Sequence, residues 1–467
     1  MQRLNRGMMG RYEIPERFPG AVNAVQFGLD EALLGVADVL IGDAGAGVGI
    51  AALRVEDVEG TDPVDGTAPA TLLREQDGMY TVFTRGYLGE QPVKREAVAQ
   101  AILRAGDAGD VDSLARDPGV ALGIVGERGL PAALDLAARF LRVRAEADLP
   151  GLDFLCVGVC DLSADAVRDG LIARAPSLEA YIRNRCAFRP ALADGIALRA
   201  EAKEAARLCQ AMNYADGMIH LVEPGATLTV EAPAAFRDRW PLDRAEGVAF
   251  VDDLAPVVAQ KRRLFDAGLF LLAAPGWLLG RNTLADCMRD EALRAFVGKA
   301  YMEELIARDE VSRRRDAPYV IRAFERFENP LNDNALLRVA APILTRFRVA
   351  ALPLIRAWAE ERFEPPRRLT FALAATIMLY AGARPGEAGR FEVLRGSERH
   401  ALIDDAAALS VFSTLSHDMP PEALAYAALA DRELWGCDLR EVEGLEQRVA
   451  LDIANIQRNP KYLPEEE

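Results

Sequence analysis

The periodicity of this chain changes once, and that change limits what it can fold into. Up to about Val251, short apolar runs alternate with amphipathic stretches; from Leu254 onward the strand pattern almost vanishes. Residues 21–27 (AVNAVQF) read as a buried strand closed by Gly28, and residues 30–40 as a helix with Leu33, Leu34, Val36, Ala37 and Leu40 on its inner side. Further strands are expected at 79–84, 120–125, 153–159, 220–222, 228–230 and 248–251, and an extended segment from Phe188 reaches Asp194. Helices are expected at 93–104, 130–145, 164–175, 177–186 and 202–212. Strands alternating with helices imply an α/β, mostly parallel, doubly wound sheet. The second part predicts helices only, at 291–307, 335–359, 369–380, 405–415, 421–430 and 444–456. The expected organisation is therefore an α/β domain over 1–253 and an all-helical domain over 254–467, large enough for two cores.

Charge removes several function classes. The formal net charge is -16, which disfavours nucleic acid and anionic membranes as partners. The N-terminus has no apolar signal segment, and the longest apolar run, 267–280, is too short to span a bilayer and contains Pro275. A cytoplasmic location is expected. Six scattered cysteines fit reduced thiols rather than a disulfide framework. The three histidines lie at no metal-ligand spacing, and Cys156 with Cys160 make too poor a donor set for zinc. No metal is expected.

A strand, a glycine and a helix open a dinucleotide-binding unit. The details here oppose one. A diphosphate needs glycines for close approach and free N–H groups at a positive helix end. Asp30 and Glu31 stand at that end, where their carboxylates would cap the amides themselves and repel phosphate. The glycine-rich run 42–49 (GDAGAGVG) lies after a helix and before a strand, the wrong order for a phosphate cradle, and reads as a turn.

The stretch 254–290 carries the candidate chemistry. It pairs a cationic triplet, Lys261-Arg262-Arg263, with an apolar helix that runs to a Pro-Gly-Trp break at Pro275. Such a pairing can set a cation at a pocket wall; it can equally be a core helix with a solvated basic end.

Five segments make the chain resemble the long-chain mannitol dehydrogenase family, in its tagaturonate reductase (altronate oxidoreductase) branch: 75–86 (EQDGMYTVFTRG), 251–268 (VDDLAPVVAQKRRLFDAG), 326–333 (RFENPLND), 368–387 (RLTFALAATIMLYAGARPGE) and 431–453 (DRELWGCDLREVEGLEQRVALDI). The resemblance implies a Rossmann-like N-terminal domain and a helical C-terminal domain. It implies reduction of keto-sugars or keto-uronates with NAD(H), without metal, in a cleft between the domains. The family places a Lys, four residues, an Asn, two residues and a His on the helix of residues 254–278. The Lys takes the hydroxyl proton, the Asn donates to the developing alkoxide, and the His orients the substrate.

Aligned on Gly268, these positions read Arg262, Ala267 and Phe270, none of which is competent: an Arg keeps its proton near neutrality, and the others donate nothing. A one-residue slide restores Lys261 as an alternative base but brings Asp266 and Leu269 with it. The family's later His is Asn334 here. On the cofactor side only Gly28 of the glycine-rich loop remains, and Glu127, in Gly126-Glu127-Arg128-Gly129, partly keeps a second motif. Asp194, Arg346 and Arg348 fall where the family binds substrate. Two readings result: a family scaffold without working dehydrogenase chemistry and without a resident cofactor, holding a sugar acid or a paralogue; or an active NAD-dependent oxidoreductase interconverting a keto-uronate or ketose with its aldonate or polyol, using Lys261 or Asp266 as base. An interaction protein is a third class. Oligomeric state is not encoded in these patterns.

Overall fold

A computed structural model describes residues 1–8, 22–45, 48–51, 69–88, 91–100, 102–103, 108–159, 162–306, 309–329, 335–385, 391–395 and 397–464. Two compact units divide the chain, Met1–Ala255 and Pro256–Glu467. Residues 56–69, whose acidic, Gly-, Pro- and Thr-rich composition reads as a loop, lie almost wholly outside the described residues, as do Cys160, Asn334 and the last three residues of the tail LPEEE, which reads as frayed.

The first unit is built on an eight-stranded sheet. Its strands here are β1 (Ala24–Phe27), β2 (Val48–Ala51), β5 (Ile102–Leu103), β6 (Leu122–Gly126), β7 (Asp153–Gly158), β8 (Ala187–Asp194), β11 (Thr227–Glu231) and β12 (Val248–Val251). A second sheet holds β3 (Met79–Leu88), β4 (Gln91–Gln100), β9 (Ala197–Arg199) and β10 (His220–Val222). The main sheet runs β12-β11-β8-β7-β6-β1-β2-β5, parallel throughout except between β8 and β11. Both faces are covered. Leu33, Val36, Ala37 and Ile41 pack one side; Phe140, Leu141, Val167 and Leu171 pack the other. Strands buried on both faces read as unbroken apolar runs, which is why AVQF and LGIVG are buried at every position. From β1 the chain winds first to β2 and β5, then crosses to β6 on the other side. The crevice beyond the ends of β1 and β6 is therefore the topological switch point, where open α/β sheets bind ligands.

One predicted helix is corrected. Residues 93–104 are not helical: residues 91–100 form β4, paired antiparallel with β3 along its whole length from Met79↔Gln100 to Leu88↔Gln91. β3 would otherwise present an open edge, and a full ladder of backbone bonds outweighs a weak local helix preference. The glycine-rich run also differs at its end, since β2 begins inside it at Val48.

The second unit is helical around two buried helices, Ala267–Leu278 and Arg367–Ala381, which pack together. The break expected at Pro275 does not occur: the helix continues to Leu278, with the Leu279 amide donating to the Pro275 carbonyl at 3.0 Å. A proline inside a helix costs about 3 kcal/mol. Leu271, Leu272 and Trp277 are buried around it, and each large apolar side chain buried contributes roughly 1.5–3 kcal/mol, so packing wins. The single helix expected over 335–359 is three, Leu336–Ala340, Ile343–Ala350 and Leu352–Arg362, divided where Pro342 and Pro353 remove backbone donors. Several elements were not anticipated, among them a long charged helix and a hairpin. Glu310–Glu328 is a helix despite its charge and Pro318, capped by Asp309 on the Ser312 amide at 2.8 Å. Phe391–Arg395 and Glu398–Leu402 form a hairpin, and Arg395 donates to the Trp277 and Arg281 carbonyls at 2.7 and 3.0 Å, closing the end of the buried helix. No helix among the described residues is long and apolar enough to cross a membrane.

Candidate functional site

The helix that follows β1 covers residues 31–43, with a π turn over Leu33–Ala37. Gly28 leads into it at φ +84°, a conformation that favours glycine. The end of this helix is where a dinucleotide phosphate would sit, and Asp30 occupies it. Its Oδ1 accepts from the Ala32 amide at 2.7 Å and the Leu33 amide at 3.3 Å, as its position in the sequence predicts. Its Oδ2 reaches across the crevice to the Arg128 amide at 2.9 Å, beyond the end of β6. The side chain lies on Gly126, where a Cβ would come within 2.7 Å of Oδ2. Glu31 adds a second layer: Oε2 pairs with the Arg128 guanidinium at 3.1 Å and Oε1 accepts from the Arg199 amide at 3.1 Å. Glu127 turns the other way and accepts from the Val159 amide at 2.7 Å, joining the ends of β6 and β7. Burial pushes the Asp30 carboxyl above its ordinary range, opposed by Arg128 and by the amides it caps. These residues do not fit a dinucleotide. The amides that would bind phosphate are taken, and the surrounding carboxylates repel it.

In the second unit the structure brings together Lys261, Asp266 and Arg346. Positions five apart in an α-helix point about 140° from one another, so Lys261 and Asp266 would diverge. A π turn over Arg262–Asp266 widens the helix there and sets them on one face. Lys261 Nζ donates to both oxygens of Asp266 at 2.9 Å, and Arg346 Nη2 donates to Oδ1 at 2.8 Å. Arg346 also donates to the Val339 carbonyl at 3.0 Å. All three are buried, Asp266 completely. Phe270 lies beside the Arg346 guanidinium at 6.0 Å and against Phe347, in the core; Ala267 is equally buried. Arg262 is half-buried in the π turn. Arg348 is turned elsewhere, donating to the Leu434 carbonyl at 3.0 Å. In the first unit, Asp194 ends β8 opposite Thr227 and is half-buried.

Of the two registers the sequence allows, the one through Lys261 and Asp266 is the one whose polar groups meet. The clustering of these two with Arg346 had no signal in α-helical spacing. Gly268 had a signal without an explanation: a Cβ there would lie 2.0 Å from the Tyr301 hydroxyl, which donates to the Leu264 carbonyl. Among the described residues no three His, Cys, Asp or Glu side chains are grouped to hold a metal ion. Burial pushes the Cys156 and Cys287 thiols up to about 12, which suits packing rather than nucleophilic work.

Comparison with known proteins supplies the context. Residues 253–457 match the mannitol dehydrogenase C-terminal domain family. The altronate oxidoreductase of Pectobacterium carotovorum subsp. carotovorum (strain PC1) is 26% identical over 432 residues, 84% of this chain and 87% of that protein. The altronate oxidoreductase of Escherichia coli O139:H28 (strain E24377A / ETEC) is 28% identical over 435 residues, 84% of this chain and 86% of that protein. Among solved structures, Pseudomonas fluorescens mannitol 2-dehydrogenase, in ternary complex with NAD and D-mannitol, superposes with a TM-score of 0.76 at 16% identity, covering 98% of each chain. Substrate-free D-sorbitol dehydrogenase superposes with a TM-score of 0.67 at 17% identity, covering 98% of this chain and 99% of that one. The last two comparisons carry the fold.

Proposed function

We propose that this chain, a relative of the altronate oxidoreductases with a mannitol dehydrogenase C-terminal domain, keeps the scaffold of those enzymes without working NAD-dependent hydride transfer. The observation that carries the reading is the clamp on Lys261. Oxidising a carbinol requires a base that accepts the hydroxyl proton as hydride leaves. In this protein the only amine at a candidate position donates to both oxygens of a buried carboxylate, and a guanidinium completes the cluster.

Asp266 harms the chemistry twice. It occupies the amine, and it is an acceptor where an alkoxide needs a donor. Lys261 and Arg346 balance its charge, so the cost to a developing alkoxide is the hydrogen bond withheld. Losing one such donor slows the chemical step by about a hundredfold or more. The cofactor side supports the same reading, because Asp30 and Glu31 fill the position a phosphate requires. The scaffold's remaining role is to hold a sugar acid or to pair with an active paralogue. Arg346 is committed to Asp266 and Arg348 donates to the Leu434 carbonyl at 3.0 Å, so a sugar acid's carboxylate would have to compete with those partners for either guanidinium.

A thermal-shift titration of the full chain with NAD⁺ and NADH is expected to show no saturable stabilisation. Incubation with NADH and tagaturonate or fructose is expected to leave the 340 nm absorbance of about 1 equivalent of NADH unchanged. Stabilisation by either nucleotide rejects the cofactor half of the reading, and turnover rejects all of it in favour of an active oxidoreductase working through Lys261.

A further inference from the structure

The carboxylate of Asp30 has three amide partners drawn from both sides of the switch-point crevice: Ala32 and Leu33 at the helix end, and Arg128 beyond β6. That set is what a phosphate group receives at such a crevice, where a helix end and a neighbouring strand end converge. We propose that Asp30 is an internal anion, a side-chain plug that stands in for a ligand's phosphate and keeps the first unit closed to dinucleotides and other phosphate esters. The inference rests on the reading that this scaffold has lost dinucleotide chemistry, and it names the residue that holds the crevice shut.

Three further observations support a fitted plug over an incidental cap. Gly126 has no side chain where Asp30 lies, and a Cβ there would also come within 2.9 Å of the Asp30 Cβ. Asp30 stands two residues after Gly28, where a dinucleotide loop of the form glycine, any residue, glycine needs its second glycine for close backbone approach. Glu31 then fixes Arg128, whose amide is one of the three, through its guanidinium at 3.1 Å. An ordinary N-cap bonds its own helix; this one also bonds the neighbouring strand's loop, and its partners hold that loop in place.

Two substitutions separate the plug from a fold requirement. Asp30→Gly removes the carboxylate and supplies the second glycine. Asp30→Asn keeps a capping oxygen, since asparagine caps helices about as well as aspartate, while removing the charge. Each full-length variant and the parent protein would be titrated with inorganic pyrophosphate and with NADH, followed by calorimetry and by nicotinamide fluorescence. Circular dichroism would confirm folding.

The expected result is no measurable binding by the parent, and binding of both probes at least tenfold tighter in Asp30→Gly. Asp30→Asn should show a smaller gain, confined to pyrophosphate. A folded Asp30→Gly with no gain overturns the plug while leaving the reading of lost hydride transfer intact. If Asp30→Gly does not fold, Asp30→Asn decides alone: any gain in pyrophosphate binding supports the proposal and none rejects it. If the parent binds NADH as tightly as the variants, the plug and the cofactor half of that reading both fail.

Discussion

Asp266 is the side chain on which the second unit's chemistry turns. It sits between two buried cations, and no water-exposed surface shares the load. Replacing a whole buried ion cluster by apolar groups is often neutral, but removing one partner leaves charge buried without compensation and costs about 3–5 kcal/mol. Asp266→Ala leaves Lys261 and Arg346 as like charges facing each other. At roughly 2–4 °C per kcal/mol for a unit of this size, melting should fall by about 6–20 °C. Asp266→Asn should fall less, because the amide oxygen still accepts one hydrogen bond. Calorimetry of the three proteins checks the order. An Asp266→Ala protein melting within about 2 °C of the parent would mean the cluster is not the anchor the distances describe.

At the scale of elements, two π turns carry the geometry that matters, and each is pinned by a tyrosine from another element. A π turn leaves a carbonyl without its usual partner four residues on. In the first unit the Tyr80 hydroxyl donates to Leu34, inside Leu33–Ala37, at 2.8 Å. In the second the Tyr301 hydroxyl donates to Leu264, inside Arg262–Asp266. The second π turn is what aligns Lys261 with Asp266. Gly268 is the space that admits the hydroxyl, so Gly268→Ala must expel it and leave two buried polar groups unbonded. Each such group costs about 1–3 kcal/mol. Tyr301→Phe alone should cost one carbonyl its partner. Combined, the two changes should cost less than their sum by at least about 0.5 kcal/mol, measured by urea unfolding; strict additivity would show that Gly268 and Tyr301 do not share a contact.

The same elements show what was readable beforehand. Strand-helix alternation exposed the doubly wound sheet, because strands covered on both faces have an unmistakable composition. Asp30 and Glu31 exposed the capped helix end, because capping is decided by neighbours in sequence. β4 was misread because its partner, not its own residues, makes it a strand. The hairpin over 391–402 was missed because its role, closing a helix end through Arg395, is a long-range contact. The Lys261–Asp266 pair was hidden by arithmetic: helical spacing is assumed to be α, and only a π turn brings positions five apart together.

Over the whole molecule, the balance of buried carboxyls sets how stability follows pH. Burial raises the carboxyls of Asp30, Asp38, Asp216, Glu304 and Asp404 above their ordinary ranges, and Asp38 is raised further by Asp30. Burial likewise carries Asp452 from 3.8 to about 6, in spite of Arg448 at 3.2 Å. A carboxyl raised in the folded state binds its proton more tightly folded than unfolded. Its contribution is therefore complete below the ordinary carboxylate range and is lost as pH climbs through the folded value. Glu204 and Asp309, lowered by the Arg207 side chain and the Ser312 amide, act in the opposite sense, but both lie toward solvent, where screening weakens them. The formal charge of -16 works with the buried group, since self-repulsion grows as the last carboxyls ionise. The chain should then be more stable near pH 5.5 than at pH 8, with a higher urea midpoint at the lower pH. For Asp452 the gap between 3.8 and about 6 corresponds to about 3 kcal/mol. Asp452→Asn should accordingly raise the midpoint at pH 8 and leave it nearly unchanged at pH 4. A parent midpoint that rises from pH 5.5 to pH 8 would mean that the buried carboxyls do not hold their protons above the ordinary carboxylate range, since the lowered pairs are fully ionised across that window. An Asp452→Asn protein stabilised equally at both pH values would mean that the gain comes from packing rather than from a proton.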